Sequence, residues 1–210
     1  MKNPALKYFL ISLVVIIVDQ IVKLIVHYNM QMGSQGQILV LGELFKLHYL
    51  TNPGMAFGLK LDFEYGKLIL TVFRIGAMFA IGYYLYSLVK TQANRGLIIC
   101  IALILGGAIG NLIDSIFYGV FLDNAPYDAP TPWFHGQVVD MFYIDIWEGY
   151  LPKWIPLMGG DYMALWPVFN IADASIFVAI CIIIIYQKRY FKKEEEQVEA
   201  KQEELEPQNQ

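Results

Sequence analysis

Apolar residues along this chain do not alternate regularly with polar ones. They gather into four blocks, roughly Tyr8 to Val26, Leu68 to Val89, Leu97 to Tyr118 and Phe169 to Tyr186, each broken by at most one or two charges. A hydrocarbon core of ~30 Å takes about 20 mostly apolar helical residues, so each block predicts a transmembrane helix. Between the first two blocks the period changes to two. Phe45, Leu47 and Tyr49 alternate with Lys46 and His48, and the run Ile38 to Leu41 precedes Gly42-Glu43, which predicts a short β-hairpin. Val138 to Trp147, rich in β-branched and aromatic residues, is a second extended segment. The expectation is an all-α integral membrane protein with a small sheet resting on its bundle.

The charges orient the spans. Lys2 and Lys7 precede the first, Lys90 and Arg95 lie between the second and third, and Lys188, Arg189, Lys192 and Lys193 follow the fourth. By the positive-inside rule these sides face the cytoplasm, with both termini. The connections 27–67 and 119–168 are long, poor in Lys and Arg, and contain Trp133, Trp147, Trp154 and Trp166; they are expected outside, with aromatics at the interface. The first apolar run continues past Asp19 to Val26 without an A-x-A-like cleavage site, so it reads as a retained helix. Residues 1–190 then form one membrane domain, and 191–210 a charged cytoplasmic tail.

Composition agrees with a membrane solvent: 57% of residues are hydrophobic and 16% charged, with a mean hydropathy of +0.46. The net charge of -4 owes much to the tail between Glu194 and Glu206 and says little about partners; a nucleic-acid role has no support. Cys100 and Cys181 sit inside apolar runs and read as core residues. His27, His48 and His135 have no metal-ligand spacing, and there is no GxSxG. A metal or a serine nucleophile is therefore not expected.

What the sequence does hold is carboxylate and carboxamide at costly depths. A charged side chain in the hydrocarbon costs at least ~2.5 kcal/mol, which makes intramembrane acids functional candidates. With the orientation above, Asp19 and Lys23 lie in the outer half of the first span, Asn111 and Asp114 near the outer end of the third, and Asn170 and Asp173 in the first turns of the fourth. Asn52 and Asp140 lie in the two outer connections. Polar groups from separate segments thus gather at one depth.

Several have plainer roles open to them: Asp19 and Lys23 at i,i+4 as an ion pair, Asn170 as a helix cap, Asn52-Pro53-Gly54 as a turn, and Gly106, Gly107 and Gly110 as close-packing positions. Two carboxylates in a poorly solvated site cannot both ionise easily, so one keeps a proton while the other activates water, the chemistry of an aspartyl protease. A transporter or proton relay is the main rival, against which the acids collect on one leaflet and no repeated halves are visible. A non-catalytic scaffold with polar helix glue is the weaker one.

At this point the chain resembles the lipoprotein signal peptidases, the type II signal peptidases of bacteria. The resemblance runs from about Asp19 to Asp173 and is carried by DQIVK (Asp19 to Lys23), TNPGMAFG (Thr51 to Gly58), GGAIGNLID (Gly106 to Asp114), VVDMF (Val138 to Phe142) and FNIADASI (Phe169 to Ile176). It implies a four-helix membrane bundle with a small extracytoplasmic β-cradle. The implied reaction removes a signal peptide on the amino side of a diacylglyceryl-modified cysteine, near the outer leaflet of the cytoplasmic membrane, without metal or cofactor. Substrates would be lipid-modified prolipoproteins met in membrane lipid, the enzyme a monomer.

Carried over by position, Asp140 and Asp173 would be the catalytic pair. Asn52, Gly54, Asn111, Asp114 and Asn170 would line the site, and Asp19 and Lys23 would support it. The chain departs from the family at Ser115, where Arg is usual, and at Val22, where Thr is usual. A missing guanidinium removes a bidentate partner for a carboxylate, and Arg74 near the outer start of the second span is the available substitute. The stretches 120–136 and 148–167 exceed what the family needs and would form an outer flap or a partner surface.

Overall fold

In the computed structural model, which describes residues 4–53, 65–154, 159–160, 162–164 and 166–205, the apolar blocks become helices α1 (Leu6–Asn29), α2 (Gly66–Lys90), α3 (Arg95–Ile113) and, after an intervening short turn α4 (Gly119–Phe121), α5 (Ile171–Leu205). A π-helical turn, Asp114–Tyr118, joins α3 to α4. Among the described residues four stretches are long and apolar enough to cross a membrane: Leu6–Asn29, Gly66–Lys90, Arg95–Phe121 and Ile171–Tyr190. Their outward faces carry Leu10, Val14, Ile17, Phe73, Phe79 and Tyr83, all exposed. That exterior suits lipid and not water.

Helix α3 is the hub and packs against α1, α2 and α5. Its glycines permit the contact, since a Cβ at Gly106 would overlap Ser12 and Val15 of α1, and one at Gly107 would overlap Ala172 and Ser175 of α5. Leu85 and Leu88 of α2 pack with Leu97, Ile98, Ile101 and Leu105 of α3 in one buried cluster. A second cluster, Val26, Tyr49, Tyr118, Val139 and Met141, fastens the sheet to the end of the bundle away from the Lys90–Arg95 turn.

That sheet has strands β1 (Ile38–Leu41), β2 (Phe45–Asn52) and β3 (Val138–Ile144) in the order β1-β2-β3, all antiparallel. The expected hairpin and extended segment are therefore partners. Leu47 pairs with Phe142 and Leu50 with Asp140, so β2 has one extra residue between them, a bulge that re-aims the strand beside the polar cluster. A second hairpin pairs β4 (Glu148–Tyr150) with β5 (Tyr162–Ala164), within the long outer stretch 148–167.

Two features differ from the sequence expectation. The fourth helix begins at Ile171 because Phe169 is extended: its N–H donates to Phe142 O at 2.9 Å and its carbonyl accepts from Phe142 N at 2.8 Å. The stretch 120–136 is also no free flap at its C-terminal end. The π-helical turn presents Ser115 O and Ile116 O, which accept from Gly136 N at 3.1 Å and Phe134 N at 3.2 Å. Gly136 is needed for that approach, because a Cβ there would overlap Asp114 O. Helix α5 continues past the span through Leu205.

Candidate active site

Four buried or half-buried acids converge under the sheet, and they divide into two kinds. Asp19 and Asp114 are fully buried and share Lys23, whose Nζ lies 2.8 Å from Asp19 Oδ2 and 2.7 Å from Asp114 Oδ2. The third ammonium hydrogen goes to Asn111 Oδ1 at 2.9 Å. Lys23 has three donors and spends all of them here. The i,i+4 ion pair read from the sequence is thus a triad. Each acid in it also has a structural bond: Asp19 Oδ1 accepts from Ala172 N at 2.8 Å in the first turn of α5, and Asp114 Oδ2 accepts from Val139 N in β3 at 3.2 Å.

Asp140 and Asp173 accept instead from neutral carboxamides. Asn170 Nδ2 donates to Asp140 Oδ1 at 2.6 Å, and Asn52 Nδ2 to Asp140 Oδ2 at 3.1 Å. Asn111 Nδ2 donates to Asp173 Oδ1 at 2.7 Å. Local structure places each group. Asn52 lies two residues along β2 from Leu50, the cross-strand partner of Asp140, so both side chains stand on one sheet face. Asn170 is held one residue beyond the Phe169–Phe142 bridge, which seats the start of α5 against β3.

The amide orientations follow from chemistry. Lys23 can only donate, so Asn111 must turn its oxygen to Lys23 and its NH2 to Asp173. Asn170 Oδ1 accepts from Asp173 N at 2.9 Å, capping α5, so its NH2 must face Asp140. The same NH2 lies 3.1 Å from Asn111 Oδ1, closing the network. A cation and a helix end therefore aim one amide at each aspartate. The helix-cap role of Asn170 and its place beside Asp140 are two uses of one side chain.

Asp140 is buried, and burial pushes its carboxyl up to about 7, with the charge of Asp173 adding to the rise; the bonds from Asn52 and Asn170 and the charge of Lys23 pull the other way. Protonated and ionised forms are both accessible near neutrality. Such a pair can hold one proton while its other member takes a proton from water.

Of the residues expected from the sequence, Asp19, Lys23, Asn52, Asn111, Asp114, Asp140, Asn170 and Asp173 are brought into this connected cluster. Gly54 lies outside the described residues. Gly110 belongs to the cluster as well, since a Cβ there would meet Asp19 Oδ2 at 2.7 Å.

The structure adds Gln20, Lys67 and Thr71, which the sequence did not single out, and gives Arg74, the substitute cation the sequence offered, a partner. Gln20 Nε2 donates to Asp114 Oδ1 at 2.9 Å while its oxygen accepts from the Tyr118 hydroxyl at 2.9 Å. On α2, Lys67, Thr71 and Arg74 follow one another at i, i+4 and i+7. Lys67 Nζ donates to Pro53 O at 2.8 Å, Thr71 Oγ1 to Phe134 O at 2.9 Å, and Arg74 Nη1 to Ser115 Oγ at 2.8 Å. Their helical spacing in an otherwise apolar span was the available signal. Arg74 reaches the depth of Asn111 and Asp114 through Ser115.

Residues 11–189 match the profile of a family described as Signal peptidase (SPase) II. A protein of Amoebophilus asiaticus named Lipoprotein signal peptidase is 47% identical over 201 residues, covering 95% of this chain and 85% of that one. One of the same name from Porphyromonas gingivalis is 39% identical over 191 residues, covering 83% of this chain and 79% of its own length. A solved bacterial membrane enzyme superposes with a TM-score of 0.57 at 26% identity, covering 87% of this chain and 88% of the other.

Proposed function

The chain belongs to the signal peptidase II family, and on that footing we propose that it is an aspartyl endopeptidase that removes signal peptides from prolipoproteins, cutting on the amino side of the diacylglyceryl-modified cysteine with Asp140 and Asp173. The protein is a multi-pass membrane peptidase. It would lie in the bacterial cytoplasmic membrane with both termini inside and the aspartates near the outer leaflet. Every residue named for the site comes from one copy, so a monomer suffices.

One observation carries the assignment of the pair. Of the converging acids, Asp19 and Asp114 have their charge tied to Lys23, whereas Asp140 and Asp173 accept from the amides of Asn52, Asn170 and Asn111. A carboxylate whose oxygen is already committed to a buried ammonium is poorly placed to exchange a proton with substrate or water. One held by neutral donors is oriented without being locked in charge.

The ionised member takes a proton from a water molecule as the water oxygen bonds to the scissile carbonyl carbon. The protonated member gives its proton to the carbonyl oxygen, forming a neutral diol. As the C–N bond breaks, the carboxyl that took the water proton gives it to the leaving nitrogen and the other carboxylate takes a proton from a diol hydroxyl, which yields acid and amine and restores the starting pair. A lipidated substrate arrives laterally from the bilayer, so the acids must stand at the depth of its cleavage site, and β3 and the first turn of α5 would carry them there.

The test is cleavage of a synthetic lipidated prolipoprotein peptide by purified protein with a metal chelator present throughout. Wild type should cut before the lipidated cysteine, whereas Asp140→Asn and Asp173→Asn should insert normally and show no turnover. Wild-type turnover by Asp173→Asn would sink the pair.

A further inference from the structure

Building on the assignment of Asp140 and Asp173 above, we infer that Arg74 of α2 is a positioning residue for Asp173, acting through Ser115 and Asn111. The links are short and directional. Arg74 Nη1 donates to Ser115 Oγ at 2.8 Å, the Ser115 hydroxyl donates to Asn111 O at 3.0 Å, and Asn111 Nδ2 donates to Asp173 Oδ1 at 2.7 Å. Ser115 is fully buried on the π-helical turn. The turn places Oγ where one atom can accept from α2 and donate to the backbone of α3.

Charge supports the same role. Lys23 is shared by two acids, Asp19 and Asp114, so its one positive charge is already committed to them and is not free for the aspartate pair. A guanidinium in poorly solvated surroundings is costly to hold and becomes favourable where carboxylates face it. Asp173, Asp114 and Asp140 all lie within electrostatic reach of Arg74. Helix α3 has a small hydroxyl where a cation would serve these acids, and the cation comes from the neighbouring helix. The geometry also fixes α2 to the site: its inner half is held to α3 by Leu85 and Leu88, and its outer half by Thr71 on Phe134 O and Arg74 on Ser115.

A residue that only fastened α2 would lower stability and leave the turnover of folded protein intact. A positioning residue lowers kcat more than it raises KM. The experiment is steady-state cleavage of the lipidated peptide across pH by Arg74→Gln, Arg74→Lys, Ser115→Ala and the double variant Arg74→Gln with Ser115→Arg, which carries the guanidinium across to α3. Folded Arg74→Gln should lose about 10²-fold in kcat, the scale of a small misplacement at a catalytic group, with KM within about threefold. Its alkaline limb should move to higher pH, because a cation favouring the ionised pair is gone. Arg74→Lys should keep the wild-type limb and regain part of the kcat. The double variant should recover at least about tenfold over Arg74→Gln.

Folded Arg74→Gln with wild-type kcat and pH limb overturns the inference, as does a loss that neither Arg74→Lys nor the double variant reduces. Should Arg74→Gln fail to fold, Ser115→Ala decides, since it cuts the link and keeps the charge: a fall in kcat with an unmoved limb supports the relay, and unchanged kcat overturns it. Asp140→Asn and Asp173→Asn run in the same assay separate the two levels. Activity in either removes the pair itself, whereas two dead aspartate variants beside an unaffected Arg74→Gln remove only the role of Arg74.

Discussion

At the scale of single residues, the contrast between Asp140 and its buried neighbours becomes a pH dependence. Burial and the charge of Asp173 disfavour the ionised form of Asp140 and push its carboxyl from the ordinary carboxylate range up to about 7. The productive pair holds one proton, so kcat/KM should fall as pH rises through about 7 and that proton is lost. The two macroscopic values belong to the pair and not to either carboxyl. Asn52 donates to the ionised form and lowers the value, so Asn52→Ala should move the alkaline limb to higher pH. A pH–rate profile of the two proteins checks the sign; a limb moving down would mean that Asn52 does not serve Asp140. The triad behaves differently. Lys23→Met strands Asp19 and Asp114 together and should cost about 3 to 5 kcal/mol, the usual effect of unpairing a buried charge, seen as loss of folded protein. Asp19→Asn keeps an oxygen for Ala172 N and leaves Lys23 paired with Asp114, so partial activity should survive.

At the scale of elements, the site depends on where α5 begins. Asn170 caps that helix through Asp173 N and also donates to Asp140, so Asn170→Ala should cost about 1 kcal/mol of stability for the cap and far more in activity, because both aspartates lose their alignment. Melting temperature and kcat measured on one preparation separate the two effects; parallel small losses would reduce Asn170 to a cap. Span content, strand content and the depth of the polar residues were legible in the sequence, because hydrocarbon tolerates so few charges that each one in a span is a marker. The joint sheet was expected too, but its register was not, since the two segments lie some ninety residues apart and pair around a bulge that shifts register between Leu47 and Leu50. The π-helical turn was also hidden: nothing in Asp114–Tyr118 breaks helical propensity, and the turn is held by the distant donors Phe134 N and Gly136 N. Gln20 escaped notice, and Ser115 was marked only as a departure from the family, for a related reason. A single polar residue inside a span reveals its depth but not its partner, which here comes from another helix.

For the whole molecule, the chemistry depends on one orientation in the membrane. The cationic turn between α2 and α3, with Lys90 and Arg95, marks one side, and the sheet lies with the outer ends of α1, α3 and α5 on the other. In a chain whose Cys100 and Cys181 are replaced by alanine, Gln35→Cys sits on the exposed segment before β1 and Thr91→Cys on the exposed turn after α2. A membrane-impermeant thiol reagent should label Gln35→Cys in cells whose cytoplasmic membrane is intact and reach Thr91→Cys only after that membrane is breached. The reverse pattern would put Asp140 and Asp173 at the inner leaflet. There the pair would meet its substrates before their export, so a labelling result of that kind would remove the physical rationale for gathering the acids at the sheet-bearing end of the bundle.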